Sequence, residues 1–222
     1  MTRAYHFLRD DMTAGSGNEK PWEIGETRTI ADPSKIALCE YGYHSSPSLW
    51  DALQYASGPI ACLVEISQPL FTDNTVNQCK AVSATRKLIK AVNNNRELRL
   101  FACDCAEHVL PIYEREHPDD KRPHQAIDVS RRFVDGKATQ EELAAAQGAA
   151  RDAAQGAARD AAQGAARDAA RGAAWAAAAA ARGAAWAAAQ GAARDAAWAG
   201  ARGAEVKWQR KHFEQMFGGI FG

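Results

Sequence analysis

The sequence predicts an α+β chain, with a small β-rich N-terminal domain over residues 1–95 followed by an all-α, alanine-rich domain of antiparallel helices over residues 96–222. Three observations carry this prediction. Strand-length apolar runs separated by turn residues fill the chain up to Asn95. From Arg96 apolar residues recur at helical spacing, and over residues 145–203 alanine tetrads take over.

In the first part, residues 4–8, 27–30, 60–66 and 81–92 read as strands, separated by turn-rich stretches at 13–18 and 72–77. One helix interrupts them over residues 46–56. Ser46 is its expected N-cap, Pro47 takes the first helical position, and Leu49, Ala52, Leu53 and Ala56 fall on one side.

Residues 97–117 then place Leu98, Phe101, Cys105, Val109 and Ile112 at helical spacing, with Pro111 expected to kink the helix or begin a new one. Residues 117–123 read as a loop. A second helix over 123–135 has Ile127, Phe133 and Val134 as its buried candidates and Gly136 as its stop. Thr139 and Glu142 form a capping box that starts a third helix leading into the repeat.

The repeat alternates Ala-Ala-Gln-Gly with Ala-Ala-Arg-Asp, and later units carry Trp175, Trp186 and Trp198. Four residues rotate by roughly 400°, so each alanine pair advances about 40° and no constant apolar stripe survives. The expected outcome is a chain folded back into alanine-lined antiparallel helices. Trp175 and Trp186 fill the seam, Gly172, Gly183 and Gly200 are the bends, and the same small-residue faces offer a route to oligomers.

Charge and cysteines bound the function. The 27 basic residues balance 27 acidic ones, which removes the cationic excess a nucleic-acid partner would need. The N-terminus lacks the apolar core of a signal peptide. The longest uncharged apolar run, residues 173–181, is also far below the roughly 20 residues of a membrane span, so no membrane partner is expected. Five scattered cysteines suit free thiols in a reducing cytoplasm. No cofactor is expected.

The segment from Arg96 to Pro111, then Pro118-Asp119-Asp120-Lys121-Arg122-Pro123 and the Ala/Trp/Arg-rich run, resembles a helical family of bacterial and phage immunity proteins of polymorphic toxin systems. The resemblance covers roughly the last 125 residues, and residues 1–95 are similar to a second domain of phage and bacterial proteins, most distinctively at Cys39-Glu40-Tyr41-Gly42-Tyr43-His44-Ser45-Ser46. It implies a protein that neutralises a toxin or defence protein by occlusion, and is not an enzyme. Toxin–antitoxin or counter-defence biology follows from the same likeness.

Three groups of residues are candidates for chemistry. Cys103, Cys105 and His108 suggest zinc, but on a helix the two thiols point about 200° apart, so no metal site is expected. Cys105 is instead expected to be buried, and Asp104 to pair with His108 on the surface. Asp119, Asp120, Arg122 and His124 crowd one loop, where they either cap the next helix or meet a protein partner's charged groups.

The layout from Tyr43 through Ile66 is similar to part of the ADP-ribosyltransferase fold. That likeness implies His6, Ser45 or Ser46, and Glu97 or Glu65 as a catalytic set, or a degenerate pocket for a small nucleotide ligand lined by His44, Ser45, Ser46 and Tyr55. The Arg-x-Gly and Glu-x-Glu signatures of that fold are absent.

Overall fold

The computed structural model describes residues 1–14, 19–38, 40–67, 71–72, 79–150, 152–153, 155 and 203–221. The expectations for Trp175, Trp186, Trp198 and the glycine bends of the repeat lie outside the described residues. An antiparallel sheet region followed by helices makes the chain α+β.

Seven strands are described: β1 (Thr2–Leu8), β2 (Thr27–Thr29), β3 (Tyr43–Ser45), β4 (Ile60–Ile66), β5 (Phe71–Thr72), β6 (Ala81–Ser83) and β7 (Thr85–Asn93). They form one sheet in the order β1-β4-β7-β2 and a second in the order β3-β6-β5. β4 pairs antiparallel on both sides, with β1 and β7. That explains its buried apolar run from Ile60 to Val64, since a central strand covered on both faces has little side to give to water.

One face of the larger sheet packs Ala4, Leu8, Cys62, Val64 and Leu88 against Trp22. The other packs Phe7 and Ala61 against Ala52, with Leu49, Leu53, Leu98, Ile220 and Phe221 around them. The expected single strand over 81–92 is two strands, because the chain leaves the small sheet at Ala84 and enters the large one. Ala84 itself accepts a hydrogen bond from the Ile30 amide at 2.8 Å.

The first helix, α1 (Leu49–Leu53), is capped by Ser48 and not by Ser46. The Ser48 Oγ accepts from the Asp51 amide at 3.1 Å and donates to Asp51 Oδ2 at 2.5 Å. Ser46 is unavailable as a cap, because its backbone exchanges hydrogen bonds with Tyr5 of β1 at 2.8 and 2.9 Å.

Pro111 does not begin a new helix: α2 (Asn95–Glu116) runs through it. In α3 (Arg122–Val134) Ile127, Phe133 and Val134 are half-buried, so the expected buried stripe is a partial one. Gly136, at φ +70°, ends α3 in a Schellman motif, with the Lys137 amide on Arg132 O at 2.7 Å and the Gly136 amide on Phe133 O at 3.0 Å. The capping box forms reciprocally: the Thr139 amide reaches Glu142 Oε2 at 2.7 Å and the Glu142 amide reaches Thr139 Oγ1 at 3.2 Å. A helical run over residues 140–150 follows.

Two compact units result. The first is Met1–Leu98 with His212–Gly222, and the second is Arg99–Lys211. The expected division at residue 95 kept the C-terminal tail with the helices. The tail instead belongs to the first unit, because Phe213 and Phe217, at 1% and 2% exposure, bury there. Phe213 packs edge-on to Trp50 at 5.5 Å, and Lys90 Nζ donates to Phe221 O at 2.9 Å. Among the described residues no helix is long and apolar enough to cross a membrane.

Candidate functional site

A cavity of about 590 Å³ opens in the first unit. Strand alternation builds its floor. His6 shares a face of β1 with the buried Ala4 and Leu8, and Arg86 shares a face of β7 with the buried Leu88. β3 and the residue after it supply His44, Ser45 and Ser46, which the Tyr5–Ser46 bridge holds beside β1. Tyr55, just beyond α1, and Lys80, just before β6, add to the lining.

His6, His44, Ser45, Ser46 and Tyr55, far apart in sequence, therefore line one cavity. Glu97 and Glu65 do not. Glu97 lies in the first turn of α2, and Glu65 faces across β4 from Arg3 and Lys87. Among the described residues, the carboxylates that do line the cavity are Glu19 and Glu40. Glu19 is already engaged, accepting from Trp22 Nε1 at 2.9 Å, Arg28 Nη1 at 3.4 Å and the Ala14 amide at 3.3 Å.

Arg86 is the residue that sequence reasoning missed. It is 3% exposed and donates one hydrogen bond, from Nη1 to His44 O at 3.1 Å. Its guanidinium lies over the rings of Trp22 and Tyr43, at 4.5 and 5.1 Å from their centroids. No carboxylate among the described residues lies within ion-pair distance of it.

Removing a charge from water costs several kcal/mol even after relaxation, and a desolvated cation–π contact returns about 2 kcal/mol. Burial lowers the Arg86 pKa to about 10, so the group still carries its charge at neutral pH. The signal was present in the strand pattern: Arg86 and Leu88 occupy the same core-facing register, where a charge is out of place.

Burial also holds His6 well below its ordinary value, with Arg86 and His44 adding to the effect, so His6 is neutral at pH 7. Among the described residues, its Nε2 and the Ser45 Oγ are buried without a hydrogen-bond partner. His44 is lowered too, first by burial and then by Lys80 and Arg86. Lys80 Nζ sits over the Tyr55 ring at 4.3 Å, and the Tyr55 hydroxyl meets Cys79 Sγ at 3.3 Å.

In the second unit the Cys-His segment does not form the expected surface pair of Asp104 with His108. Cys103 is the buried thiol, Cys105 is half-buried, and no metal-ligand cluster occurs among the described residues. Asp104 takes Arg131 Nη2 at 2.7 Å, and the same nitrogen reaches Glu107 Oε2 at 2.6 Å. His108 bonds Glu205 through Nδ1 at 2.8 Å and stacks on Trp208 at 3.7 Å. These partners come from α3 and from the helical run over residues 203–217, and both displace the local i,i+4 pairing.

The loop between α2 and α3 is tied from within. Arg122 clamps Asp120 bidentately, Nε to Oδ1 at 2.9 Å and Nη2 to Oδ2 at 2.6 Å, and the Tyr113 hydroxyl donates to Asp120 Oδ2 at 2.7 Å. These donors hold the Asp120 carboxyl far below the usual carboxylate range. Asp119 is exposed, and the exposed His124 stands 3.8 Å from Asp128.

No curated protein and no solved structure matches the chain. The family described as "Imm-5 like putative immunity protein" matches residues 89–216, more than half of the sequence, and the chain belongs to that family.

Proposed function

We propose that the chain is a non-enzymatic immunity or counter-defence protein that neutralises a toxin or defence protein by occluding it. Its membership of the Imm-5 like family over residues 89–216 carries this reading. The contact surface we assign is the loop between α2 and α3 together with the first turn of α3, with Asp119, Arg122 and His124 exposed on it and Asp120 holding its shape. Ile112, 61% exposed one turn before the loop, supplies an apolar anchor.

The test is co-expression of the full chain with toxins of polymorphic systems, read as growth rescue and as a stoichiometric complex on size exclusion. The Asp119→Lys, His124→Asp double variant is expected to weaken the complex about tenfold or more with an unchanged melt. The reading fails if no such toxin is either neutralised or bound.

A further inference from the structure

We propose that the cavity of the first unit binds an organic oxyanion, a metabolite-sized carboxylate or phosphate whose charged head is gripped by Arg86 and whose body lies against tyrosine rings. The site goes beyond the immunity reading, since His6, Ser45 and Arg86 all precede the family match at residue 89.

Arg86 is a buried cation that lines the cavity, makes one hydrogen bond, and has no carboxylate beside it among the described residues. A guanidinium held this way offers a planar fork of N–H donors, the geometry that takes a carboxylate or phosphate bidentately. Cation–π contacts with Trp22 and Tyr43 fix the plane of that fork without neutralising it.

Two further polar groups of the same lining, His6 Nε2 and Ser45 Oγ, are buried and have no hydrogen-bond partner among the described residues. Neutral His6 and the Ser45 hydroxyl can each donate one hydrogen bond to an oxyanion, which would end their isolation. Glu19 acts on Arg86 from beyond ion-pair distance, its charge is countered by Arg28 at 3.4 Å, and Glu40 is exposed.

Size sets the second half of the assignment. About 590 Å³ is far more than a bare phosphate fills and falls in the range of small-molecule sites. Tyr5, Tyr43 and Tyr55 line it and give a flat organic body surfaces to lie on.

The experiment titrates the full chain with phenyl phosphate, benzoate, inorganic phosphate and neutral benzamide, by calorimetry and thermal shift. Phenyl phosphate or benzoate should bind and raise the melting temperature. Inorganic phosphate should bind more weakly and benzamide not at all. Whichever aromatic anion binds more tightly tells a phosphate head from a carboxylate one.

Arg86→Gln should lower the affinity by about tenfold or more. Ser45→Ala, which leaves the cation in place, should lower it several-fold. If Arg86→Gln does not fold, Ser45→Ala and the preference for anion over benzamide decide. Absence of binding by both aromatic anions at millimolar concentration overturns the proposal, and so does binding that folded Arg86→Gln or Ser45→Ala leaves unchanged. Toxin neutralisation by the folded Ser45→Ala chain should remain, so failure here is separable from failure of the immunity reading.

Discussion

Two imidazoles and one guanidinium set the behaviour of the first unit at the residue scale. The folded chain keeps His6 neutral, because burial and the nearby Arg86 and His44 lower its pKa well below 6.5, whereas the unfolded chain takes up the proton near 6.5. The unfolded state therefore binds more protons below that value, and stability is full above it and declines as the pH falls. His44 is shifted in the same direction and adds to the slope. The unfolding free energy from urea titrations is expected to fall between about pH 7.5 and 5.5, by up to about 1.4 kcal/mol per pH unit for His6, and His6→Gln should flatten the profile.

Glycine makes a second residue-scale contrast. Gly42, at φ +128°, lies against Val82 Cγ2 and Ile36 Cγ2, and an added Cβ would collide with the first and stand 3.1 Å from the second. Gly136, at φ +70°, has nothing within 4 Å. Gly42→Ala should cost about 2–4 kcal/mol, from strain and overpacking together, and Gly136→Ala only about 1 kcal/mol, from the left-handed backbone alone. Chemical denaturation of the two variants measures the difference.

At the element scale, caps and sheet edges decide where the chain turns. Ser48 caps α1 while Ser46 is held in a bridge to β1. Ser48→Ala should therefore cost about 1 kcal/mol and release protection of the α1 amides in hydrogen exchange, whereas Ser46→Ala should leave those amides protected. Proximity to Pro47 pointed to the wrong serine, because the extended pairing of Ser46 with Tyr5 involves residues 41 positions apart, and no local pattern encodes it. The capping box at Thr139 and the Schellman turn at Gly136 were legible because every bond in them closes within five residues. The break at Ala84 was hidden for the converse reason. The residues on both sides favour strand, and only their different partner strands separate β6 from β7.

At the scale of the whole molecule, the last residues of the chain complete the first unit. Phe213 and Phe217 stack at 4.3 Å, Phe213 meets Trp50, and Phe221 lies 5.9 Å from Tyr5. Phe213→Ala should cost about 3–5 kcal/mol. A chain ending at Lys211 should lose hydrogen-exchange protection in β1 and β4 while the helices α2 and α3 keep theirs. Loss of protection spread evenly over both units would mean that the tail does not belong to the first.

The sequence alone determined the α+β class, the strand over residues 60–66, the helix start at the capping box, the stop at Gly136 and the resemblance that the family match supports. Each of these is written either in a short-range period or in a motif a few residues long, where backbone geometry leaves few alternatives. Tertiary structure alone decided the partners of charged and polar groups. Asp104 found Arg131 across 27 positions and His108 found Glu205 across 97. It also gathered His6, Ser45 and Arg86 around one cavity. Such pairings depend on which elements the apolar faces bring together, and a side chain's own neighbours in sequence carry no record of that.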